Sequence, residues 1–197
     1  MEFLSKEKPT NKWLTKDNNP EIIRATSPDV KYPMNKEDDL CMKKLIDFVN
    51  FSQDEKLNAP EGTPEHLRPA VGLAAPQIGI NKNMFYIKIC WEDEVNTIDE
   101  YAVVNCKITA RSEQLTYLKG GEGCLSVDGD RRGVVPRNYK IEVEFYDYLK
   151  DKNYVMILRG YTAIVFQHEY DHIIGKLYYD HINKEDPEYF EEDWIEI

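Results

Sequence analysis

Cationic residues are in short supply: 25 Lys and Arg stand against 36 Asp and Glu, for a formal charge of −11. Such a surface repels phosphate backbones, which argues against broad nucleic-acid binding and gives sequence-specific recognition of nucleic acid no obvious platform. Long apolar runs are missing too, so no stretch has the roughly 20-residue length of a membrane span. The opening MEFLSKEKPTNKW lacks the basic-then-apolar build of a secretory signal, and the cytoplasm is the expected compartment. Cysteine is sparse. Cys41, Cys90, Cys106 and Cys124 are irregularly spaced with no CxxC, which argues against a zinc knuckle and, in that compartment, against a disulfide framework. Internal repeats and low-complexity tracts do not occur.

What is present suits a globular protein: 42% hydrophobic and 12% aromatic residues in a chain of 197 are enough to bury a core. The chain reads as one domain over 1–197, with an irregular lead-in over 1–20 and an acidic tail or terminal helix over 184–197. Proline punctuation keeps the first 34 residues irregular apart from a short ordered piece at 21–25. NKEDDLCMKKLIDFVNFSQDEKL has an Asn cap at Asn35, acidic residues in its first turn, and Met42, Leu45, Ile46 and Val49 at helical spacing, predicting a helix that ends before Asn58. NAPEGTPEHLRP is a surface loop or insertion. Strand-type runs follow at 84–90, 100–109, 114–118, 141–149 and 153–158, the last two around the turn KDKN. GYTAIVFQHEYDHIIG then switches to helical periodicity, with Gly175 as its cap. This predicts an α+β fold: antiparallel sheets packed around a central late helix, with an N-terminal helix.

Histidine is also rare, and two of the 4 fall in FQHEYDH, Phe166 to His172. On a helix, positions i and i+4 share a face, so His168 and His172 point at one volume and can grip one metal ion, while Glu169 is close enough to act as acid and base without becoming a ligand. The pattern is common enough by chance that a third ligand is needed. Cys124 in GGEGCLSVDG is the best candidate; a thiolate and two imidazoles leave a fourth position open, as in catalytic sites. Equally, a free cysteine is often only a small buried hydrophobe. VGLAAPQIG, Val71 to Gly79, offers Gln77 as an amide donor for a developing oxyanion, or reads as a tight loop with a surface glutamine.

Together, VGLAAPQ, EGCLSV (Glu122 to Val127) and QHEYDH (Gln167 to His172) resemble the three motifs of the peptide deformylase family, in the family's order, over about residues 22 to 183. GEGCLSVDG and the insertion before the first motif are similar to the form common in Gram-positive bacteria. The resemblance implies a metal centre of Cys124, His168 and His172. The ion would be Fe2+, with Zn2+, Ni2+ or Co2+ able to replace it. Glu169 would be general base and then acid, and Gln77 with the backbone N–H of Leu125 would hold the oxyanion. Gly72 would present backbone to the peptide, Val71, Ile164 and Val165 would line a methionine pocket, and Glu122 and Arg137 would form a supporting ion pair. The implied partners are N-formyl-methionyl nascent peptides, with transient proximity to the ribosome and no membrane. Ala70 stands where the family normally has glycine, and would strain the loop if that position needs positive φ. Tyr170, often aliphatic in the family, reads as a packing change. Two rivals are an HExxH metallopeptidase using His181 as third ligand and a non-catalytic deformylase-like binding module.

Overall fold

The computed structural model describes residues 2–129 and 131–197. Helix α1 spans Pro20–Ile23 and α2 spans Lys36–Gln53. Strand β1 (Gly72–Ala74) runs into a 3₁₀ turn at Ala75–Ile78; β2 (Met84–Cys90), β3 (Ile98–Arg111), β4 (Leu115–Tyr117), β5 (Arg137–Asn138), β6 (Lys140–Asp147) and β7 (Lys152–Arg159) follow. Then come α3 (Gly160–Ile173) and β8 (Ile195–Glu196). The larger sheet has the order β1-β2-β3-β6-β7, every pairing antiparallel. The smaller has the order β5-β4-β8. Among the described residues no helix is long and apolar enough to cross a membrane.

Both predicted helices form for the expected reasons. The Asn35 side chain accepts from the N–H groups of Glu37 (2.8 Å) and Asp38 (2.9 Å), with three acidic residues in the first turn of α2 facing the positive end of its dipole. Helix α2 stops at Gln53, earlier than Asn58, because Asp54 turns extended and takes the N–H groups of Lys56 and Leu57 onto its own carboxylate. Gly175 adopts φ +72 just past α3, and a Cβ there would overlap the Arg24 carbonyl oxygen, so only glycine fits.

Strand β2 is apolar on both faces because both are covered. Met84 and Tyr86 pack with Met42, Leu45 and Phe48 of α2, while Phe85 and Ile87 pack with Val143 and Phe145 of β6 and with Phe166 of α3. Phe166 is wedged among the rings of Phe85, Tyr101 and Phe145. About 100° round α3 from Phe166, Gln167 holds β5 through Asn138 in both directions (3.0 and 2.9 Å). Helix α3 thus lies between the two sheets.

The acidic tail, residues 184–197, forms no terminal helix, and all its residues but Trp194 are exposed. It returns to the body and adds β8 in parallel beside β4, pairing Thr116 with Ile195 and Tyr117 with Glu196. Phe190 and Trp194 pack on the Tyr117 ring at 5.3 and 6.5 Å. These aromatics, spaced among the acids, provide the apolar area that a purely charged tail would lack. Removing residues 184–197 should therefore cost about 2 kcal/mol and lower the melting temperature by about 5 °C, measurable by calorimetry.

Candidate metal centre and cleft

Helix geometry carries two of the three ligand candidates. His168 and His172 lie a turn apart on α3 with ring centroids 5.2 Å apart, and the glycine-rich loop after β4 brings Cys124 to them. One ligand atom from each of Cys124, His168 and His172 falls within 4.8 Å of the others, and Cys124 Sγ is 3.3 Å from His172 Nε2. Burial alone would raise the Cys124 thiol, but His172 and His168 outweigh it and hold the group well below its ordinary value, favouring thiolate. His168 Nδ1 meets Glu122 Oε2 at 2.8 Å, which leaves the other ring nitrogen for an ion.

Behind the ligands runs a buried chain of charge. Arg137 binds Glu122 with two nitrogens (2.8 and 2.9 Å) and Asp171 with a third (2.5 Å); His181 Nε2 reaches the same Asp171 oxygen at 2.7 Å. Burial works against ionisation of Glu122, yet Arg137 and His168 bring its carboxyl down to about 2. The expected Glu122–Arg137 pair is present, and it extends further than the sequence indicated. His181 is occupied with Asp171 and does not join the Cys124 cluster.

Glu169 is 3% exposed, and burial raises its carboxyl to about 7 despite the neighbouring histidines. Among the described residues its Oε2 has no hydrogen-bond partner, and neither has His172 Nδ1. A buried, unsatisfied carboxylate oxygen beside a thiolate and two imidazoles is the donor set a divalent ion with bound solvent completes, so these residues fit a metal. Gly72 crowds the same carboxylate. A Cβ at Gly72 would overlap Glu169 Oε1, so Gly72→Ala should displace Glu169 and lower turnover about 10²-fold while metal content stays unchanged. Formate release and elemental analysis on one preparation check this.

Gln77 is buried at the start of the cleft. Its Oε1 accepts the Ala74 N–H at 2.8 Å, which fixes the amide so that Nε2 points to Cys124 Sγ at 3.4 Å. Leu125 keeps its carbonyl on Lys16 Nζ, and among the described residues its N–H has no acceptor. Val71, Gly72, Ile164, Val165 and Glu169 line one cleft of about 280 Å³ with Cys124 and His168. Ala70 is absent from the residues with positive φ, so alanine strains nothing there; its N–H and carbonyl are held by Ser52 and Gln53 of α2. Tyr170 packs against the core beside α3.

The chain matches the family model of polypeptide deformylase over residues 11–188. It belongs to that family. This deformylase is 44% identical to peptide deformylase 2 of Bacillus cereus over 167 residues, 84% of this chain and 86% of that protein. It is 41% identical to the peptide deformylase of Ligilactobacillus salivarius over 175 residues, covering 88% and 91% of the two chains. The crystal structure of peptide deformylase from Thermus thermophilus aligns with a TM-score of 0.64 at 29% identity, covering 87% of this chain and 86% of that one. The deformylase is thus a hydrolase of a metal-dependent family, with the Cys124, His168 and His172 cluster able to hold an ion. Sequence reasoning missed Arg68, Leu118 and Tyr161 in its cleft wall and Asp171 behind it. Only Asp171 had a local signal, since it shares the helical turn with both histidines.

Proposed function

We propose that the chain works as one deformylase domain in the cytoplasm, removing the N-formyl group from the formyl-methionine of newly made polypeptides and releasing formate. The observation that carries the reading is the buried Glu169 carboxyl, whose Oε2 has no hydrogen-bond partner among the described residues, in the same cleft as Cys124 and His168, which cluster with His172. Those three residues would hold the ion, Fe2+ in the native enzyme, with Zn2+, Ni2+ or Co2+ compatible with the same donors. When bound, the ion supplies Lewis acidity that makes a water more acidic and draws charge from the formyl oxygen.

The remaining steps fall to the protein. Glu169, with its carboxyl at about 7, takes a proton from the attacking water and returns it to the departing amine. Gln77 Nε2 and the Leu125 N–H donate to the formyl oxygen as it gains charge. β1 is the edge strand of its sheet, so the backbone around Gly72 is open to a peptide, and Val71, Ile164 and Val165 offer the methionine side chain an apolar wall. Nascent chains emerging from the ribosome bring it into transient proximity.

Cys124→Ala should lose metal and formate release from formyl-Met-Ala, whereas His181→Ala should keep both. Metal loss from His181→Ala with retention in Cys124→Ala would favour the metallopeptidase reading instead.

A further inference from the structure

The cleft does not end at its methionine wall. A second cavity of about 300 Å³ adjoins it, and the two share Leu118, Gly121 and Glu122 as lining. Arg68 lines the first; Lys119, Arg131 and Arg132 line the second. Among the described residues the carboxylates on these walls are few: those of Glu122 and Glu169 lie buried, the former held by Arg137, and Glu188 lines the second cavity. In a protein of net charge −11, the described lining of these cavities thus holds more cationic than exposed acidic side chains.

Arg68 is exposed, and among the described residues it makes no hydrogen bond or ion pair. It reaches across the cleft mouth to the Cys124 loop, where a Cβ on Gly123 would lie 3.0 Å from its Nη2. Lys119 meets Glu196 at 3.0 Å, but that lysine is 80% exposed, so the pair is weak and exchangeable. The Arg131 guanidinium lies 5.7 Å from the Tyr179 ring centroid.

We propose that these cations form a track that selects polypeptides bearing acidic side chains shortly after the formyl-methionine. The proposal rests on the deformylase reading. An extended peptide advances about 3.3 Å per residue, so the first residues beyond methionine would pass Arg68 and later ones would reach Arg131. A nucleic-acid strand suits the track less well: the opening starts inside the catalytic cleft, and the acidic tail docks beside it on Tyr117.

The test compares the amidated peptides formyl-Met-Ala-Glu-Glu, formyl-Met-Ala-Ser-Ser and formyl-Met-Ala-Lys-Lys with the metal-loaded full chain. The glutamate peptide should exceed the lysine peptide in kcat/KM by roughly tenfold at low ionic strength, carried by KM, and the ratio should collapse towards one at about 0.5 M salt. Arg68→Glu and Arg131→Glu should each lower the ratio, and the serine peptide corrects each preparation for its content of folded enzyme. A wild-type ratio at or below one, as the overall negative charge alone would give, overturns the track while leaving the deformylase reading intact. Failure to hydrolyse any of the three peptides overturns both. A ratio near one together with inhibition by a short oligoribonucleotide that Arg131→Glu relieves would reassign the cavity to nucleic acid and overturn the peptide track.

Discussion

Glu169→Gln should retain close to one metal ion per chain and lose at least about 10³-fold in turnover, because general acid–base removal alone costs about 10²–10⁴-fold and one residue here serves two proton transfers. Metal should stay because the ligand atoms belong to Cys124, His168 and His172, and glutamine keeps the size of the side chain packed against Gly72. The substitution also removes a buried carboxyl that burial has raised to about 7 and whose Oε2 has no partner among the described residues. The variant should therefore melt no lower than the parent, separating loss of chemistry from loss of fold. Formate release, elemental analysis and a melting curve on one preparation give all three readouts. An active Glu169→Gln protein would sink the proposed mechanism, since a bystander next to a structural metal clip is what that result describes.

The placement of His168, Glu169 and His172 was legible because helix periodicity is a local property: they are neighbours in the chain, and spacing alone sets their directions. Strand β2 was legible for a similar reason, as MFYIKIC carries apolar residues on both faces and the fold covers both. Of the short strands only β4 was. β1 is three residues long, and β5 and β8 are two each; they exist through their partners rather than through any propensity of their own. β8 in particular pairs with a strand some eighty positions earlier, and its acidic composition reads as solvation until Tyr117 is placed beneath Phe190 and Trp194.

Gly72 shows a second kind of gap. The motif implied an open backbone for the substrate, but the closest demand on that glycine is the Glu169 carboxylate, a contact between segments almost a hundred residues apart. His181 shows a third: by type it could have been a metal ligand, and only tertiary placement assigns it to Asp171.

Arg137→Leu should produce the largest stability loss of any single substitution considered. The Arg137 side chain is 3% exposed, with Glu122 at 4% on one side and Asp171 at 9% on the other. Leucine would fill part of the space and leave two buried carboxylates without their cation, and removing one partner from a buried ion network costs about 3–5 kcal/mol. For a protein of this length that corresponds to a fall of about 10–15 °C in melting temperature. Arg24→Leu is the matched control. Its bond to Asp180 is made at side-chain exposures of 32% and 33%, where an ion pair contributes about 1 kcal/mol or less. If the two variants melt together, the buried chain behind the metal site has no special weight. Adding Glu122→Gln to Arg137→Leu separates causes further, because a neutral amide relieves one of the orphaned charges; the double variant should recover part of the lost stability. It should not recover metal affinity. Glu122 orients His168 through Nδ1, and loss of such a partner typically costs about 10–100-fold in metal binding, so stability and metal affinity should move in opposite directions between the single and the double variant.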